Sequence, residues 1–115
     1  MNELEELRDK LRVFAAERDW DQFHSPKNLA AALAVEASEL LEHFQWLTEE
    51  QSRQLPPDAL DAVKAEVADV LLYMIRISDK LGIDLIAAAH AKMILNAAKY
   101  PVEKARGTSK KYTKL

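Results

Sequence analysis

A chain of 115 residues that is 49% apolar can build one helical core and is too short for two, so a single domain is expected. With two glycines, four prolines and no cysteine, propensity favours helix throughout, and disulfides, thiolate metal sites and thiol nucleophiles are excluded. A net charge of −3, no signal-like start and no apolar run of transmembrane length lead to the expectation of a soluble cytoplasmic protein with no membrane partner.

In chain order, Leu4, Leu7, Leu11 and Phe14 recur every three or four residues and predict a first helix over residues 2–17. Residues 19–26 follow as an ordered loop rich in aromatic groups, closed by Pro26, which disfavours helix at Ser25 and can open the next helix itself. The second helix is predicted from 26 or 28 to 47. A polar connector covers 48–57, with a short helical turn near 49–53. Asp58 is the expected cap of a third helix reaching Leu81, where Gly82 is a good stop; Asp84 should cap a fourth over 85–98, before Pro101 ends regular structure. The expected fold is all-α, with four main helices in an antiparallel bundle. Residues 1–98 form the helical domain, and 99–115 form a basic tail too short for the clustered contacts that duplex nucleic acid requires. Helix two also carries Ala30, Ala34, Ala37, Leu41 and Phe44 away from its main stripe. Apolar residues on so much of its circumference imply burial against a further copy, hence a homo-oligomer.

Two acidic pairs of equal spacing interrupt otherwise apolar stripes. At about 100° per residue, Glu39, His43, Leu40, Leu29 and Leu47 fall within about 60° of Glu36, and Asp69, Tyr73, Val70 and Ile77 within about 60° of Glu66. A carboxylate within an apolar stripe is costly unless its charge is compensated. If the two helices pack antiparallel, four carboxylates meet at one level, and oxygen-only ligation suits Mg²⁺, with Mn²⁺ as a substitute. A di-iron site fits poorly, because the E-x-x-H step is missing: His43 is four after Glu39, and Ala87 stands three before His90. Carboxylates around Mg²⁺ point to phosphoryl or nucleotidyl transfer to water. No glycine precedes Gly82, so no Gly-rich loop is available to grip phosphate. That task falls to the metal and to side chains such as Lys92, Asn96 and Lys99, which share one helix face. Trp20, Phe23, His24, Trp46 and Tyr73 are candidates for walls of a base pocket.

At this point four blocks carry a resemblance: R-D-W-D-Q-F-H-S-P-K-N-L-A over 18–30, E-A-S-E-L-L-E-H-F-Q-W over 36–46, E-V-A-D-V-L-L-Y over 66–73 and K-M-I-L-N-A-A-K-Y-P over 92–101. Together they resemble the all-α nucleoside triphosphate pyrophosphohydrolases of the MazG-like superfamily, in particular the compact dCTP pyrophosphatase branch. The resemblance implies that Glu36, Glu39, Glu66 and Asp69 bind magnesium and that Trp20, His24, Trp46 and Tyr73 line the base side. It implies phosphate-side or sugar-side contacts from Lys27, Lys92 and Asn96, and a tail segment of Lys99 and Tyr100 through Arg106 that closes near the site. It further implies hydrolysis between the α and β phosphates of dCTP or a modified dCTP, giving dCMP and diphosphate, by a homotetramer built as a dimer of dimers. The broader signature opens with two adjacent glutamates, whereas this chain has Val35 before Glu36, which removes an outer ligand for a second metal. Two other functions compete: a broad-specificity NTP and dNTP pyrophosphohydrolase, separable by a substrate panel, and a non-enzymatic helical adaptor, which leaves the acids within two apolar stripes without a reason.

Overall fold

The computed structural model describes residues 1–115. It contains only helical segments and turns, as the composition requires. The chain divides into two compact units, residues 1–82 and 83–115.

The first unit holds α1 (Glu3–Glu17), α2 (Pro26–Glu42), the single-turn α3 (Glu49–Ser52) and α4 (Pro57–Leu81). The Asn2 side chain caps α1 by accepting from the Glu5 amide at 2.8 Å. At its far end Asp19 adopts a left-handed φ of 55°. The Trp20 amide then returns to the Ala15 carbonyl at 2.9 Å and the Asp19 amide to Ala16 at 3.1 Å, a Schellman closure with aspartate where glycine is usual. This closure sets the direction in which the chain enters the aromatic loop. Ser25 caps α2 through the Asn28 amide, Pro26 occupies its first turn, and Asn28 Nδ2 donates back to the Phe23 carbonyl at 2.9 Å.

Two expected boundaries are corrected. The second helix ends at Glu42, not 47: the amides of His43, Phe44 and Leu47 bond to carbonyls three residues back, so the chain tightens into turns without a terminating glycine. Asp58 is not the cap of α4, because Pro57 already sits in its first turn and Pro56 takes the capping position with no side-chain bond. The C-terminal stop is as expected, with Gly82 at φ 66°. The helical turn expected near 49–53 is α3, closed by a capping box between Thr48 and Gln51.

Helix α4 packs against both α2 and α1. The residues just before α2 bond to the C-terminal part of α4, while Glu36 and Glu39 in the second half of α2 meet Glu66 nearer the start of α4, so α2 and α4 run antiparallel. Leu29, Ile75 and Ala15 are the buried apolar core of this unit, one from each helix. Beside that core a stripe of α4 stays exposed: Leu60, Val67, Leu71 and Met74, spaced by seven, four and three.

The second unit holds α5 (Leu85–Lys99), capped by Asp84 through the Ala87 amide at 3.0 Å, and the short α6 (Val102–Ala105). Regular structure therefore continues past Pro101, which serves as the cap of α6. The tail returns to the end of α5: Tyr112 packs edge-on to Tyr100 at 6.0 Å and under the Lys99 ammonium at 4.9 Å. No helix of either unit is long and apolar enough to cross a membrane.

Candidate active site

Antiparallel packing of α2 on α4 brings Glu36, Glu39 and Glu66 together, with one carboxylate oxygen of each lying within 4.8 Å of the others. Glu66 is 9% exposed, Glu36 half-buried and Glu39 exposed. Two oxygens of the trio, Glu36 Oε2 and Glu66 Oε2, are buried without any hydrogen-bond partner. Orphaned acceptors of this kind are costly. Contact with the Glu36 carboxylate, then loss of water, then the Glu39 carboxylate push the Glu66 carboxyl up to about 8.

A divalent cation would meet both demands, taking the orphaned oxygens as ligands and offsetting the repulsion that raises Glu66. Oxygens about 2.1 Å from Mg²⁺ stand about 3 Å apart at adjacent positions and about 4.2 Å apart across the ion, so ligand atoms within 4.8 Å of one another need to close by no more than about 0.6 Å to share one coordination shell. Asp69 does not belong to this trio: it lies on α4 one turn beyond Glu66, exposed, with a side chain one methylene shorter.

Beyond Glu66 the same face of α4 continues through Tyr73, Arg76 and Lys80, at offsets of seven, ten and fourteen residues. Tyr73 is half-buried. Arg76, which sequence reasoning missed, is only 6% exposed. It donates to His24 Nδ1 at 3.0 Å and to Asp21 Oδ1 at 2.6 Å. Asp21 also accepts from Lys80, and that bond, with help from Arg76, holds its carboxyl below the ordinary range. Asp79 takes a two-pronged bond from Arg12, at 2.8 and 2.5 Å, which lowers its carboxyl and ties α1 to α4. The loop carrying Trp20 and His24 is thus pinned to α4 by ion pairs, and Trp20 packs edge-on against Phe14 of α1 at 5.7 Å.

The aromatic candidates do not all meet. Trp20 and His24 precede α2, whereas Trp46 follows it and is 87% exposed. The 17 residues of α2 separate the two ends by about 25 Å. Tyr73 lies on the His24 side of the carboxylates. Lys27 is exposed in the first turn of α2. Lys92, Asn96 and Lys99 are exposed on α5, and Tyr100 and Arg106 follow it in the second unit. In that unit Lys99 and Tyr100 are engaged by Tyr112.

The MazG-like family model matches residues 31–115. The chain is 44% identical over 114 residues to dCTP pyrophosphatase 1 of Mus musculus, an alignment covering 97% of this chain and 67% of that protein. The Homo sapiens protein of the same name is 42% identical with the same coverage. Among solved structures, a pyrophosphatase from Archaeoglobus fulgidus aligns with a TM-score of 0.77 at 39% identity, covering 88% of this chain and 94% of that one.

Proposed function

The chain belongs to the MazG-like family, and from that premise we propose that it is a Mg²⁺-dependent nucleoside triphosphate pyrophosphohydrolase that converts dCTP, or a modified dCTP, and water to dCMP and diphosphate, as cytoplasmic housekeeping of the nucleotide pool. The observation that carries this reading is the trio of Glu36, Glu39 and Glu66 with two buried oxygens lacking partners. A surface acid cluster needs no such burial.

In this reading Glu36, Glu39 and Glu66 hold the cation, with Asp69 joining from the next turn of α4. Mg²⁺ supplies charge neutralisation at phosphate oxygens and orientation of water when it is bound. Glu39, the most exposed of the trio, accepts a proton from the attacking water. The new bond forms from that water oxygen to the α phosphorus, the bond from the α phosphorus to the bridging oxygen breaks, and diphosphate departs with the bridging oxygen. Lys92, from this copy or a neighbouring one, offsets the charge of the departing diphosphate, while Lys27, Asn96, Lys99, Tyr100 and Arg106 serve phosphate and sugar.

The same reading makes the protein a homo-oligomer, with a dimer of dimers as its form. The stripe of Leu60, Val67, Leu71 and Met74 and the exposed Val35 and Leu41 of α2 supply apolar surface for a second copy. Trp46 stands at the wrong end of α2 to meet Trp20 within one protomer, so a base pocket containing both takes Trp46 from a neighbour.

A steady-state panel of all common dNTPs and NTPs with diphosphate detection tests the activity. The expected result is highest kcat/KM for dCTP, with label from ¹⁸O-water in the monophosphate. Equal turnover of every nucleotide refutes the base preference, and label in diphosphate alone refutes the attack site. Light scattering at low micromolar concentration tests assembly, and a monomer mass there refutes it.

A further inference from the structure

Arg76 is almost fully buried, and nothing in the hydrolysis described above uses it. Its Nε–H points at Nδ1 of His24, 3.0 Å away. A guanidinium keeps its protons throughout the working range of a protein, so the ring nitrogen at the other end of that bond must present a lone pair. An imidazole with a lone pair on Nδ1 is neutral and carries its proton on Nε2. Nε2 itself makes no hydrogen bond within the chain.

The charged groups around the ring act in the same sense. Arg76 and Lys80 face His24 from α4, and Asp21 faces it from the loop, with Asp79 beyond Arg76 at 3.6 Å and held in turn by Arg12. Loss of water first, then Arg76 and Lys80, push His24 below its ordinary value against the weaker opposing pull of Asp21. These influences act against a cationic ring with two donors, in the same sense as the bond from Arg76.

We propose that Arg76 is a positioning residue for base selection: it fixes His24 as a neutral imidazole with one outward N–H donor, which pairs with the acceptor N3 of cytosine and is opposed by the N3–H of uracil or thymine. The inference rests on the reading of this loop as the base-side wall. The ten residues of α4 from Glu66 to Arg76 span about 15 Å, the scale on which an extended nucleoside triphosphate separates its phosphates from its base. A fixed tautomer turns a flexible donor or acceptor into a selective one, because a mismatched base leaves two donors opposed.

Long-range ¹H–¹⁵N spectra of the labelled full chain test the first half, with the His24 signal identified among three histidines by its loss in His24→Gln. The expected result is an unprotonated Nδ1 and a protonated Nε2, unchanged from pH 8 to 6. A proton on Nδ1, or an imidazolium at pH 7, overturns the proposal. Kinetics of Arg76→Met, with folding checked by circular dichroism, test the second half. The ratio of kcat/KM for dCTP over dUTP should fall about tenfold, mainly through KM for dCTP, with kcat for dCTP retained. An unchanged ratio in a folded variant overturns it. If the wild-type chain hydrolyses no nucleotide, the pyrophosphohydrolase reading and base selection fall together, while the nitrogen spectrum still decides whether Arg76 fixes His24.

Discussion

Removing the Glu66 charge should abolish a proton that the folded protein holds only when it holds no cation. With the Glu66 carboxyl at about 8, about nine chains in ten carry one proton on the glutamate trio at pH 7. A divalent cation requires that proton to leave. Binding at pH 7 should therefore release about 0.9 proton, and apparent affinity should rise about tenfold per pH unit below 8, roughly fifty-fold from pH 6 to 8, before levelling. Titration calorimetry of Mn²⁺ into the metal-free chain, in two buffers of different ionisation enthalpy, measures both quantities. The sign for stability follows from the same group. Its folded value lies above its ordinary value of 4.5, so the folded chain binds an extra proton between about pH 4.5 and 8. Metal-free stability should thus fall as pH rises through that window and flatten above it. In Glu66→Gln, proton release should vanish and the stability profile between pH 5 and 8 should flatten. Binding to the wild-type chain without proton release, and with affinity constant from pH 6 to 8, would refute the account of the trio.

Other outcomes follow from individual side chains. Asp69→Asn and Glu39→Gln should each remove most turnover while far-ultraviolet circular dichroism stays unchanged; full activity in Asp69→Asn would confine the metal site to the three glutamates. Trp20→Ala should weaken binding of a nonhydrolysable dCTP analogue by about 1 to 3 kcal/mol if the indole stacks on the base, and unchanged affinity would make it a packing partner of Phe14 alone. Ser25→Ala should cost about 1 kcal/mol in urea unfolding, with Ser25→Asp restoring most of it, because the lost bond is the cap of the Asn28 amide; no change would show that Pro26 alone starts α2.

Among the capping side chains only Asp84 was read from the sequence; Asn2, Ser25 and Thr48 reach amides three residues ahead in the same way, although apolar spacing and Pro26 were what placed the first two helices. These are contacts within one turn, and one turn of sequence contains them. The end of α2 was not legible, because the apolar spacing runs on through Phe44 and Leu47 while the backbone has already tightened. No glycine marks the change. The double proline before Asp58 hid the start of α4 for the opposite reason, since proline's fixed φ prepares the first turn without any side-chain bond.

The acid trio and the Arg76 network show why one half of the site could be read and the other could not. A carboxylate within an apolar stripe conflicts with its own neighbours, so Glu36 and Glu66 stand out from a few turns of sequence. The level at which Asp69 stands depends on side-chain length and on how α4 rotates against α2, and equal spacing on two helices fixes neither. Arg76 conflicts with nothing nearby: an arginine three before an aspartate reads as an ordinary solvated pair, and Asp79 supplies that aspartate. Its defining partners, Asp21 and His24, lie 55 and 52 residues earlier in the chain. Only the antiparallel return of α4 along α2 brings them to one place, burying a cation against an imidazole. Spacing on a single helix reveals where acids are misplaced for packing, whereas the orientation of a neutral histidine is decided by a donor that reaches it through the fold.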